Sequence, residues 1–325
     1  MLAATNFVRR RAVRGLYILF GVSLGSFILS ELVPGDFYAE ARLNPQISPD
    51  ALVRMKLEHH LDQPPLLKYG YWLASVVRGE WGFSLSYNMP VGSLLWSRLL
   101  NTLLLTVTAT VLVWLVAVPA GIWLAIGGGR ALHRLLARGG LAVLVATPEL
   151  LLVLIFQLIA ARSGYLPVGG MFSPGWPQME LWNRARDVAR HLALPVTVLT
   201  LSALPSISMH AASSMGEVLE TPFIRGARAN GIPQWRLLWR HALPAAAHPL
   251  IASLGLSTGT LLSASVLVEN ATAWPGLGRL MLEATLDRDA HVVIGIVTLS
   301  AVFLIASSFF SDLLLYFVDP RIRRE

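Results

Sequence analysis

Six apolar stretches, each close to bilayer length, constrain this chain more than anything else in it. They run Gly15–Val33, Leu100–Gly127, Gly139–Ala161, Leu192–Ala212, Ala245–Val268 and Val292–Val318. A hydrocarbon core of about 30 Å is crossed by about 20 mainly apolar helical residues. Within lipid the backbone must satisfy its own polar groups, which a helix does. The pattern therefore predicts an all-α polytopic membrane protein with six transmembrane helices. Only 14% of the residues are charged, against about 25% in a soluble domain. The first stretch follows Arg9, Arg10, Arg11 and Arg14, as a signal peptide would. It is too long for an h-region, and Glu31, Pro34 and Asp36 form no small-residue cleavage site, so it reads as a retained span.

Every Lys and Arg lies outside these stretches. Arg9, Arg10, Arg11 and Arg14 precede the first; Arg130, Arg134 and Arg138 follow the second. Arg225, Arg228, Arg236 and Arg240 follow the fourth, and Arg321, Arg323 and Arg324 follow the last. The alternate loops balance their charges. By the positive-inside rule both termini lie in the cytoplasm, and the net charge of +7 is an orientation signal rather than a nucleic-acid footprint. The expected organisation is 1–33 (cytoplasmic start and first span), 34–99 (exported loop region) and 100–325 (core of five spans, with a cytoplasmic loop at 214–244). Helix-like pieces are expected at Pro49–His59 and Pro65–Val77, and an ordered Gly/Pro/Trp-rich cap at Leu166–Trp182. Prolines inside or at the ends of spans suit kinked helices around a pathway or ordinary bundle packing.

The loop Glu217–Pro244 reads as a two-helix elbow. Thr221 and Pro222 are a helix start, since the hydroxyl can cap and the proline lacks only an amide that is unsatisfied there anyway. Phe223–Asn230 is the first helix, and Gly231 stops it in the left-handed conformation. A second helix follows Pro233, with Trp235, Leu238, Trp239 and Ala242 on one apolar face, and Pro244 ends or kinks it. An aromatic, arginine-rich elbow fits a gripping partner; a solvated loop between spans is the alternative.

Catalytic patterns are missing. Lys56 and Lys68 are the only lysines and neither follows Gly, so no Walker A loop exists and the chain is not expected to hydrolyse nucleotide. Cysteine is absent, no zinc motif occurs, and no metal or cofactor is expected. Gly21-Val22-Ser23-Leu24-Gly25 has the letters of a nucleophile elbow but lies inside the first span. Glu149 is the one acid deep in a span. It faces a partner or a wet cavity, or else snorkels or is protonated. Glu149, Gln157, His210, Ser263 and Ser265 are candidates for a translocation path, and each reads equally as an interhelical hydrogen-bonding group.

The elbow resembles the cytoplasmic loop of integral-membrane subunits of ABC importers. Arg225-Gly226-Ala227 stands in the place of that motif's Glu-Ala-Ala, Gly231 in the place of its glycine, and His241-Ala242-Leu243-Pro244 at its end. IRGARANG followed by WRHALP resembles the dipeptide/oligopeptide/nickel permease variant. So do the opening RR…GVSL…LVPGD, LDQP at Leu61–Pro64, RGEWGFS at Arg78–Ser84, VENATAWPGLGRL at Val268–Leu280 and DPRIR at Asp319–Arg323. The resemblance covers nearly the whole chain and points to that family's first, "B-type" permease subunit. It implies a type I ABC importer permease fold in a bacterial-type inner membrane, with the 222–231 helix coupling to separate ATPase subunits. Phe223, Arg225, Arg228 and Trp235 would supply contacts and Gly231 the fold-back. ATP would be bound by the two ATPase partners. A second homologous permease chain and a periplasmic or lipid-anchored solute-binding protein would complete the assembly. Glu149 looks unusual for that family's third span, so the resemblance carries no role onto it.

Two other classes compete. A secondary transporter or channel needs coupling-ion sites and usually repeat halves, which the sequence does not display. An intramembrane enzyme built on Glu149 with His210 or His248 has no supporting spacing. The substrate is open among dipeptides, oligopeptides, glutathione-like peptides and nickel chelates.

Overall fold

A computed structural model describes residues 2–32, 63–84, 86–127 and 131–318. The expected helical piece Pro49–His59 and the Asp319–Arg323 block lie outside the described residues. The chain divides into two compact units. One comprises Met1–Thr5, Asn101–Gly278 and Ala306–Glu325; the other comprises Asn6–Leu100 and Arg279–Ile305.

Among the described residues, five helices are long and apolar enough to cross a membrane: α1 (Leu2–Leu32), α3 (Val91–Ala125), α6 (Leu181–Leu219), α8 (Gln234–Ala271) and α10 (Ala290–Val318). The expected third span is not one straight helix. It is α4 (Ala131–Ala146) and α5 (Glu149–Ser163), bent by 103° at Thr147 and Pro148, and it makes a sixth crossing only if the bent pair counts as one. Pro148 explains the break. It has no amide to donate, and its ring disfavours the helical region for the residue before it. Pro148 is itself extended, at φ -59 and ψ 141, and its carbonyl accepts the Leu152 amide as α5 begins. Glu149 is thus the first residue of a helix and not the middle of one, where the positive end of the helix dipole favours a carboxylate.

In the larger unit, α6 packs on α5 and α8, and α8 on α5. Their shared core holds Leu105, Ala109 and Val113 of α3, Leu152 and Val153 of α5, Val198 and Leu199 of α6, and Leu261 and Val268 of α8. Gly121 of α3 lies so close to α6 that a Cβ there would meet the Ser208 carbonyl and the Ala211 Cβ at 2.5 Å. The cap expected at Leu166–Trp182 is tied to α6: Asp187 accepts the Ser173 hydroxyl at 2.6 Å, and the Arg184 guanidinium stands 5.2 Å from the Trp176 ring centroid.

In the smaller unit, α2 (Pro65–Val77) lies against α1 through Phe27, Tyr69 and Trp72, with the Tyr69 and Ser23 hydroxyls 2.8 Å apart. Lys68 pairs with Glu31 at 3.1 Å. A two-stranded hairpin of β1 (Phe83–Ser84) and β2 (Met89–Pro90) is pinned by Ser84 to the buried Asp289 at 2.6 Å. Tyr87 of its turn donates to Glu283 of α9 (Leu277–Leu286) at 2.7 Å.

Candidate coupling site

Two short pieces of chain between α6 and the apolar part of α8 build the site. The helix α7 (Pro222–Ala229) starts where expected, with the Thr221 hydroxyl accepting the Ile224 amide at 3.4 Å and Pro222 in the first turn. It ends in a paired-bond cap. The Gly231 amide donates to the Arg228 carbonyl at 3.0 Å and the Ile232 amide to the Ala227 carbonyl at 3.3 Å. This closure places Gly231 at φ +75, the left-handed region, where a side chain strains the backbone. Nothing lies within 4 Å of a Cβ built there, so the requirement for glycine is conformational and not one of space.

One residue anchors α7 to the rest of the unit. Ile224 is fully buried with Met215 of α6 and with Leu237, Ala242 and Ala246 of α8. Ile122 and Ala125 at the end of α3 pack against the same cluster. Burying an isoleucine contributes about 1.5–3 kcal/mol, so α7 is attached to three of the long helices at once. The opposite side is bare. Phe223 is 59% exposed, Arg225, Gly226 and Arg228 are exposed, and Ala227 is partly buried. Phe223 meets the half-buried His241 edge-on, with ring centroids 5.9 Å apart.

The second helix differs from expectation. Of the two outcomes expected at Pro244, an end or a kink, the helix does not end there; Pro244 is exposed and lies inside the continuous α8. Residues Leu237–Ala242 form a π-helical turn just before it, and the Leu243 amide donates to the Leu238 carbonyl. A proline ring crowds the carbonyl four residues back, and a widened turn accommodates it without ending the helix. The wider turn also moves the faces. The buried stripe is Leu237, Ala242, Ala246 and Leu250, stepping by five residues through the turn and by four after it. Of the four residues expected on the apolar face, Trp235 and Trp239 are instead 63% and 62% exposed. The Arg236 guanidinium stands 5.4 Å from the Trp235 ring centroid.

The five candidate path residues differ in their roles. Gln157 donates to the Val168 and Ala271 carbonyls, at 3.1 and 2.8 Å, and so ties the cap after α5 to the end of α8. Ser265 is buried and returns its hydroxyl to the Leu262 carbonyl at 2.8 Å. His210 and Ser263 are exposed, and Glu149 is half-buried at the helix break. No hydrogen bond joins any two of them among the described residues. Among those residues no group of three His, Asp or Glu side chains is placed to hold a metal.

A second constellation is not apparent from the sequence pattern. Glu269, at the end of α8, is fully buried. It accepts the Thr102 hydroxyl and the Gly278 amide, each at 2.7 Å. The Thr102 oxygen in turn accepts the Leu277 amide. A Cβ at Gly276 would fall on the Glu269 carboxylate, and Trp274, also fully buried, donates to the Asn101 carbonyl at 3.1 Å. The available signal is a glutamate followed by Gly276-Leu277-Gly278, glycines that leave backbone amides open to an acid.

The pattern of the binding-protein-dependent transport system inner membrane component family matches residues 117–324, which include the elbow and this loop. The chain belongs to that family. It is a multi-pass inner-membrane component. It is 30% identical over 323 residues to the oligopeptide transport system permease protein AppB of Bacillus subtilis (strain 168), covering 97% of this chain and 98% of that protein. It is 30% identical over 339 residues to the dipeptide transport system permease protein DppB of Escherichia coli (strain K12), covering 98% and 99%. Among solved structures, the inward-facing MetNI methionine ABC transporter is similar, with a TM-score of 0.57 at 18% identity over 70% of this chain and 96% of that one. That likeness gives the fold, the all-α type I importer permease expected from the sequence.

Proposed function

We propose that this family member is the B-type permease subunit of a peptide importer driven by separate ATPase subunits, and that α7 is its coupler. The observation that carries the reading is the division of α7 into two faces. Ile224 is sunk among the ends of α3, α6 and α8, while Phe223, Arg225 and Arg228 stand in the open. A partner that grips the open face moves three long helices together. Exposed aromatic and arginine side chains are the usual high-energy contacts of such interfaces. The chain itself supplies no nucleotide loop, so the ATP is bound by the partners and the chain needs no cofactor. A second, homologous permease chain lines the other half of the path, and a solute-binding protein delivers the peptide to the exported side. Both termini and the elbow face the cytoplasm, as the arginine distribution supports. Glu149, Gln157, His210, Ser263 and Ser265 remain the polar groups proposed to meet the substrate or its water.

The test is retention of the ATPase by affinity-tagged chain. Replacing Phe223, Arg225 and Arg228 together by Ala removes anchors of a kind that contribute about 2 kcal/mol even singly, so ATPase retention falls by at least about 30-fold while the chain still inserts. Undiminished retention by that triple variant overturns the assignment of α7.

A further inference from the structure

We propose that Trp239 and Arg240 form a binding site for the phosphate-bearing headgroup of an anionic phospholipid. The leaflet is the cytoplasmic one, which rests on the orientation proposed above. The π-helical turn creates the surface. By turning Leu237 and Ala242 inward, it leaves Trp239 62% exposed with Arg240 exposed beside it. Neither makes a hydrogen bond or ion pair among the described residues, whereas Arg236 is held against Trp235.

Depth decides the occupant. The apolar stretch of α8 begins at Ala245, six residues after Trp239. At about 1.5 Å per residue, Trp239 and Arg240 stand about 8–9 Å beyond the hydrocarbon along the helix axis. The headgroup layer is about 5–8 Å deep on each side, so the two residues stand at its outer edge. Trp235 and Arg236 stand about 14–15 Å out, beyond that layer and within reach of a cytosolic protein. The chemistry agrees. A guanidinium forks two N–H groups onto phosphate oxygens, and an indole settles at the membrane–water interface at headgroup level. The elbow carries Arg225, Arg228, Arg236 and Arg240 against Glu217 and Glu220, so its field attracts an anion.

The experiment counts phosphatidylglycerol retained by the purified full-length chain and its complex, using native mass spectrometry, with phosphatidylcholine as the uncharged reference. Arg240→Gln lowers phosphatidylglycerol affinity about fivefold, the equivalent of about 1 kcal/mol for one arginine at an anionic surface. Arg240→Lys retains most of the affinity, Trp239→Ala loses part of it, and phosphatidylcholine binding stays unchanged in all three. Phosphatidylglycerol retention by Arg240→Gln equal to that of the unaltered chain overturns the proposal. So does displacement of the lipid by inorganic phosphate, which points to a soluble anion. Loss of the ATPase from the Arg240→Gln complex with lipid retention intact also overturns it, and assigns the patch to the protein partner. The lipid count does not require an ATPase, so failure of the coupling assignment leaves this readout standing.

Discussion

Replacing Gly231 by valine isolates the backbone requirement of the elbow. The residue sits at φ +75 with open space where a Cβ would go, so a side chain there meets strain and no clash. For an L-residue the left-handed conformation costs about 1–2 kcal/mol, and a β-branched residue lies at the upper end or beyond. The two cap bonds, Gly231 to Arg228 and Ile232 to Ala227, form only in that conformation. A shift of about 1–2 kcal/mol changes the balance between folded and opened elbow by roughly 5- to 30-fold. Peptide uptake by vesicles containing the reconstituted complex is expected to fall within that range or below it. Insertion and expression of the chain are unchanged. Gly231→Asn is the control, because asparagine enters the left-handed region more readily and should keep most of the uptake. If Gly231→Val transports like the unaltered protein, or if Gly231→Asn fails as badly as valine, the reasoning from the cap is wrong.

Three further outcomes follow from the packing. Gly276→Ala forces a methyl onto the Glu269 carboxylate, and overpacking of this kind costs about 1–3 kcal/mol, so thermal unfolding in detergent should occur at a lower temperature. Gly121→Leu drives α3 away from α6 at Ser208 and Ala211, and should lower both unfolding temperature and uptake; unchanged values for both would mean that the helices separate at no cost. Burial would raise the Glu283 carboxyl. Hydrogen bonds from Tyr87 and Arg279 and the charges of Arg279 and Arg98 outweigh it and hold the carboxyl below its ordinary 4.5. Its folded value is the lower one, so its contribution to stability is present above 4.5 and is lost as pH falls through the folded value. Tyr87→Phe removes one of those bonds and should make the acid-side loss of stability shallower in a pH series of melting temperatures.

Most of the fold is legible in the sequence because lipid leaves a chain few alternatives. Uninterrupted apolar stretches without a basic residue allow little other than helices, and five of the six appear as single long helices. The third does not, although Pro148 stands in it. Hydropathy averages over a window, whereas one proline acts on the residue before it and can bend a helix sharply. In the elbow the local rules suffice for Thr221, Pro222 and Gly231, whose effects are confined to a turn. They do not suffice for Trp235 and Trp239. Helical periodicity assumes a constant step, and the π turn before Pro244 changes that step once, turning both rings outward. Glu269 is hidden for another reason. Its partners Thr102 and Gly278 lie far from it or across a turn, so that only the folded chain brings the hydroxyl and the amide to the carboxylate.

The chain contains no cysteine, so a single introduced thiol reports from one place only. The direct measurement of coupling is therefore Arg225→Cys on the open face of α7, cross-linked within the assembled complex in the presence and absence of ATP. Coupling through α7 predicts a nucleotide-sensitive cross-link to an ATPase subunit and no reaction with an impermeant reagent applied from the exported side. A thiol that reacts from the exported side, or that cross-links to no nucleotide-binding chain, contradicts it.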